Sequence, residues 1–424
     1  MGPENFQPLR DPEVTNGVED VSAAIEYKHD PETKEGREAI RNDVLEKIRA
    51  LHESRHADKE FHGTHHPEAV YEDANEIFDA IGETNPSALT DKERHVLDAA
   101  TLGHDSVIEV EKVDDPSNAF AHGTNRRFRG FDRDKIPNVE GDGILHINVD
   151  DPEVVEEYGN EMCSAIETAQ VWKLEDPLGK VYSFDDYEAL FENIAATYPE
   201  VQPNPFVQIP KGAEIVNSKA GEEVDVSRYL QKDEDGNLTA LQLRQPTLDD
   251  NKESSLGALA TGFADLSRVG KVSSEEFTKS GNSEFLELNW LIKEELVSES
   301  VDELIPERKV AIVNKILGWV GAQAGFALWQ KIRLNDNLET QESISNLPNA
   351  QAARDKIHEI YSEFDNNIIA AGERSEKMNE EYGGLRSADA FLSPEADKLF
   401  IALVSDTGFE VKDSVEVEAL KEAA

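Results

Sequence analysis

The sequence predicts a mainly α-helical protein with a small β-rich insertion, and three observations carry that prediction. Apolar residues recur at helical spacing, as in Val44, Leu45, Ile48 and Leu51 and again in Val70, Ala74, Ile77, Phe78 and Ile81. Such stripes bury one face of a helix and leave the other to solvent. A helix-start signal accompanies them: Thr90-Asp91-Lys92-Glu93 has the form of a capping box, with Thr90 as N-cap and Glu93 reaching back to its N–H. The texture changes between residues 203 and 254. There, short runs at 206–209 and 238–243 accompany the turn-rich Lys232-Asp233-Glu234-Asp235-Gly236-Asn237, a hairpin signal.

Taken in order, residues 1–40 are rich in Glu, Asp and Pro and read as a weakly ordered acidic lead-in. A first helical part follows over 41–202. On the helix that Thr90 opens, Leu97, Ala100 and Thr101 share a face with position 104, so His104 is expected to point toward the core. Residues 113–149 lack periodicity and read as a long loop of the kind that borders active sites. Helical patterns return over 152–172 and 184–197, the insertion occupies 203–254, and a second helical part spans 255–374. Residues 375–424 read as an acidic helical tail with one apolar cluster, Leu399-Phe400-Ile401-Ala402-Leu403.

Composition narrows the function. The 424 residues include 88 acidic and 42 basic side chains, a formal net charge of −46. So negative a surface repels nucleic-acid backbones and anionic membranes, so neither is an expected partner. Acidity on this scale keeps a protein soluble where strong salt screens self-repulsion, which points to a halophilic source. Cys163 is the only cysteine, so an internal disulfide and a thiolate metal cluster are both excluded. The N-terminus lacks a basic region followed by an apolar one, and no apolar run reads as long enough to cross a bilayer; a soluble cytoplasmic protein is expected.

Four separated stretches carry the chemistry: Phe61-His62-Gly63-Thr64-His65-His66, Leu102-Gly103-His104-Asp105, Ala264-Asp265-Leu266-Ser267 and Gln323-Ala324-Gly325-Phe326. His66, His104, Asp105 and Asp265 form a mixed imidazole–carboxylate set suited to Zn, Fe, Mn or Mg. Asp105 could bridge two such ions, and metal-bound water ionises near neutral pH to give a nucleophile without cysteine or serine. His62, four residues from His66, would share its face if both lay on a helix, and a histidine outside the ligand set can protonate a leaving oxygen. His65 reads as a surface neighbour. His29, His52, His56, His95, His146 and His358 show no partner pattern and read as surface or structural.

These residues resemble the H…HD…D signature of HD-domain metal-dependent phosphohydrolases, and the four stretches together are similar to class I 3′,5′-cyclic nucleotide phosphodiesterases. The Tyr-His-Asn-x-x-His-Ala-x-x-Val of that family corresponds to residues 61–70, its Ala-Asp-Leu-Ser stands unchanged at 264–267, and its Ser-Gln-x-Gly-Phe corresponds to 322–326. The resemblance covers about 60–364, without the insertion or the two ends. It implies a helical-bundle fold, His62 as general acid, and His66, His104, Asp105 and Asp265 as ligands of the tighter of one or two divalent metals. It further implies that Gln323 hydrogen-bonds a purine and that Phe326 packs on it. The chain departs from the family after Asp105, where Ser106-Val107-Ile108-Glu109 replaces Val-Asp-His-Pro-Gly, whose histidine lies near the second metal; His122 is only a candidate for its place. It departs again at Arg268, where the family has a base-contacting asparagine and a guanidinium favours an anionic group. The expected function is cleavage of a cyclic nucleotide to its 5′-monophosphate. The alternatives are hydrolysis of another nucleotide or phosphorylated metabolite, or metal or nucleotide binding without catalysis.

Overall fold

The computed structural model describes residues 27–57, 59–108, 136–139, 141–200, 206–210, 216–219 and 222–412. It is 69% helix and 4% strand, as the periodicity requires. The first helical part is built from α1 (Lys34–His56), α2 (His65–Thr84), α3 (Asp91–Gly103), α4 (Pro152–Tyr158), α5 (Asn160–Glu175) and α6 (Phe184–Ala195). Helix α1 starts well before residue 41, because the Thr33 side chain caps it by accepting from the Gly36 N–H and Ile40 is already core. The capping box at α3 forms as read: Thr90 N–H donates to Glu93 Oε2 at 2.7 Å, and Glu93 N–H donates to Thr90 Oγ1 at 3.1 Å. The stretch 152–172 is two helices rather than one, broken at Gly159, whose φ of 96° suits glycine. Most of the 113–149 loop lies outside the described residues.

The insertion holds the five strands found among the described residues: β1 (Phe206–Gln208), β2 (Val216–Lys219), β3 (Glu222–Asp225), β4 (Gln231–Lys232) and β5 (Leu238–Leu241). Strands β1, β5 and β4 form an antiparallel sheet in that order, with Val207 opposite Ala240 and Gln231 opposite Thr239; β2 and β3 pair separately. The β4–β5 hairpin turns at Gly236, φ 82°, where the sequence placed it. A short helix, α7 (Pro246–Asp249), returns the chain to the core.

The second helical part comprises α8 (Leu256–Leu266), α9 (Ser274–Leu288), α10 (Trp290–Ser298), α11 (Pro306–Thr340), α12 (Glu342–Ser345), α13 (Ala350–Ile360), α14 (Phe364–Tyr382) and α15 (Pro394–Asp406). Helix α14 runs through the expected boundary at 374/375. The tail is docked rather than appended: Phe400 and Leu403 of α15 are fully buried beside Ile312, Val313 and Ile316 of α11. Helix α11 is long and apolar enough to cross a membrane, which corrects the reading that no run is; 67% of its most apolar window is buried inside the fold, as in a core helix. Three apolar clusters result. One joins α1, α3, α5 and α6; one joins α2, α8, α11, α13 and α14; and one joins α9, α10, α11 and α15. The ends of α2, α3 and α8 meet between the first two, and there the site forms.

Candidate metal centre

Helices α2, α3 and α8 each bring one short segment to a common point. His66 lies in the first turn of α2, His104 and Asp105 directly follow α3, and Asp265 occupies the last turn of α8. Gly103 lets the end of α3 approach α5 closely, because a Cβ there would run into the side chain of Thr168. The ligand atoms of His66, His104 and Asp105 lie within 4.8 Å of one another. Asp105 Oδ2 stands 2.9 Å from His104 Nε2 and 3.3 Å from His66 Nε2. Asp265 Oδ1 lies 3.4 Å from His66 Nε2 and 3.9 Å from His104 Nε2. The four residues singled out as ligands therefore converge.

The donor set fits a divalent cation. His104 is 1% exposed, and its Nδ1–H donates to the Thr101 carbonyl at 2.8 Å, which leaves the Nε2 lone pair for the centre. That Nε2 is buried and makes no hydrogen bond, so its approach to Asp105 is close but off the hydrogen-bonding direction. A buried nitrogen in this condition is costly without a partner, and a metal ion is one. The charge balance agrees. Burial alone would lower His66, yet Asp105 and Asp265 outweigh it and push the imidazole up to about 10. Burial would likewise raise Asp105, but His104 and His66 hold it well below the ordinary carboxylate range. The field that favours a proton on His66 favours a cation between these groups.

His62 stands beside these four residues but not on α2, the helix that carries His66. It precedes Thr64 and α2, because Gly63 and Thr64 make the turn into the helix; its ring centroid is 5.7 Å from that of His66. Its partner is Glu287 of α9. Glu287 Oε1 accepts from His62 Nδ1 at 2.7 Å, while Oε2 accepts from the backbone N–H groups of Phe61 and His62 at 3.0 and 3.1 Å. Burial would raise this carboxyl, but the bonds to His62 and its backbone bring it down to about 2. Glu287 thus fixes the hydrogen on Nδ1, and Nε2 is the ring nitrogen that this contact does not engage.

Two further carboxyls border the centre. Burial, and then Asp105 and Asp265, push Glu161 of α5 up to about 8; its Oε2 is buried without a hydrogen bond. Burial, reinforced by Glu287 and Asp265 against the lowering pull of His62, pushes Glu284 of α9 up to about 7. Sequence reasoning missed Glu161, Glu284 and Glu287. The only signal was the three-residue spacing of Glu284 and Glu287, which puts both on one face of α9. It also underrated His52 and His56, which are 3% and 5% exposed; His56 Nε2 lies 3.0 Å from the Ser106 carbonyl, next to Asp105. Burial holds His52 down at about 3, so its ring is neutral. His65 is exposed, as expected, and His122 lies outside the described residues.

The remaining site expectations fare differently. Arg268 is committed elsewhere: its guanidinium pairs with Asp73 of α2 and, at 2.8 Å, with Glu276 of α9, while Lys271 reaches Asp73 at 2.6 Å. That network argues for a structural part in place of a substrate contact. Gln323 is 8% exposed and lines a cavity of about 10 Å³ with Phe277, Gly281 and Arg374. Phe326 is partly buried and packs against two of the apolar clusters. Gly325 has a structural cause, since a Cβ there would lie 3.2 Å from Ala240 Cα of β5. Comparison with protein-family models, with curated proteins and with solved structures finds no match to this chain.

Proposed function

We propose that this chain is a metal-dependent phosphoester hydrolase of the HD-domain type, whose favoured reaction opens a 3′,5′-cyclic nucleotide to the 5′-monophosphate. The observation that carries the reading is the convergence of His66, His104 and Asp105 within 4.8 Å, closed by Asp265, with an anchored histidine alongside. A divalent ion held by these four residues would polarise a phosphoryl oxygen and acidify water at the site. The two imidazoles and two carboxylates would hold that ion. His62, held at Nδ1 by Glu287, delivers a proton from Nε2 to the departing oxygen. The surface charge supports a small-molecule substrate over a nucleic-acid partner.

A second reading, hydrolysis of a phosphorylated metabolite that carries no base, is favoured by one observation. The cavity beside Gln323 has room for about one water and not for a purine ring. The deciding experiment loads purified protein with Mn, Mg, Zn or Fe and assays a panel of cyclic nucleotides, nucleotides and phosphomonoesters. Turnover that Asp105→Ala abolishes is expected. Metal uptake with no turnover of any phosphoester would leave a binding protein and end the enzymatic reading.

A further inference from the structure

We propose that Gln245 and Arg333 are positioning residues for Asp265, so that the β-rich insertion sets the affinity of the metal centre; this rests on the metal-site reading above. Gln245 stands at the entrance to α7, where the insertion rejoins the helical core, and it is fully buried. Its Nε2 donates to Asp265 Oδ2 at 3.4 Å, and its Oε1 accepts from Arg333 Nη2. The neighbours dictate the amide's orientation: an ionised carboxylate only accepts and a guanidinium only donates, so the amide alone has a donor for one and an acceptor for the other.

Arg333, 5% exposed on α11, is itself locked. Its Nε donates to both oxygens of Asp249 at 2.7 and 2.9 Å, and its Nη1 donates to Gln330 Oε1 at 3.1 Å. The backbone N–H of Gln245 donates to Asp249 Oδ2 at 2.9 Å, which closes the ring. With Oδ2 of Asp265 held in this way, Oδ1 is the oxygen presented to His66 and His104. Room for the relay comes from Gly262, one turn before Asp265 on α8. A Cβ there would lie 2.9 Å from Gln245 Oε1, 2.8 Å from the Ala196 carbonyl oxygen and 2.6 Å from Leu248 Cδ1. The glycine is thus the opening through which a residue of the insertion reaches a metal ligand.

Groups that hold a ligating side chain from behind typically matter about 10- to 100-fold in metal affinity. The test titrates Mn(II) into the full-length, chelator-stripped protein by calorimetry and records the melting temperature of each metal-free sample. Gln245→Met, similar in shape but without donor or acceptor, is expected to weaken Mn(II) binding about 10- to 100-fold and also to lower the metal-free melting temperature, because it strips the buried Arg333 Nη2 of its acceptor. Arg333→Lys keeps the charge but loses the fork, and is expected to weaken binding by a smaller factor; it supplies the readout if Gln245→Met fails to fold. A folded variant of either kind with wild-type Mn(II) affinity would overturn the proposal while leaving the metal centre standing. A wild-type protein that takes up no Mn(II) would remove the metal reading and this proposal together.

Discussion

His62 depends on a partner that its own stretch of sequence does not reveal. Glu287 lies 225 positions away, yet it takes three hydrogen bonds from the loop that carries His62. On the proposed reading His62 is a general acid, and one so held is worth about 100- to 10,000-fold in rate. His62→Ala is therefore expected to lower kcat by a factor in that range with little change in KM. Glu287→Gln keeps the shape but loses the charge, and should lower kcat by less. Steady-state kinetics of the metal-loaded enzyme reads both, and an unchanged kcat for His62→Ala would refute its role. The ligands were legible because each sits in a short run of recognisable residue types. Glu287, Glu161 and Gln245 were not, since a single carboxyl or amide in a polar segment forms no pattern and acquires its meaning only from tertiary contact.

Among the elements, the insertion is bound into the core far more tightly than a polar, turn-rich segment advertises. The ring of Tyr229, in the 3-10 turn Val226–Tyr229, occupies the space where a Cβ on Gly372 of α14 would stand. Alanine ordinarily gains about 1 kcal/mol over glycine inside a helix, and here overpacking outweighs it. Gly372→Ala is expected to lose about 1–2 kcal/mol net, the upper part of a roughly 1–3 kcal/mol overpacking cost less about 1 kcal/mol of helix propensity, seen as a lower urea midpoint at unchanged slope. An equal or higher midpoint would mean that the insertion is loosely seated. The helices were readable from period and caps, and the β4–β5 hairpin from its Asp-Gly step. The breaks were less so. The condition that would place His62 and His66 on one helical face is not met, since Gly63 and Thr64 start α2 only at His65. Residue 374 looked like an end because composition turns acidic there, while Met378 and Tyr382 continue the buried face of α14.

Over the whole molecule, a net charge of −46 sets the terms on which the three apolar clusters hold together. Self-repulsion opposes the compact state, and salt shortens its reach from about 10 Å at 0.1 M to about 3 Å at 1 M. The melting temperature is accordingly expected to rise steadily as KCl is raised from about 0.1 M to above 1 M. A flat or falling curve would contradict a protein fitted to strong salt. Helix α11 contributes to two of the clusters, so thermal unfolding should be followed at α11 and in the first helical part separately. The ion pair between Asp73 and Arg268, 4% exposed on the Asp73 side chain, has a consequence at this scale. It fastens α2 to the segment after α8, about two turns along α2 from His66 and three residues past Asp265. On the proposed metal reading, a cation would meet a seat already shaped by this pairing and would have no need to gather the chain around itself. Its free energy of capture would then appear as tightness of binding instead of being consumed in ordering the polypeptide, and one ion would exchange for another while the scaffold stands.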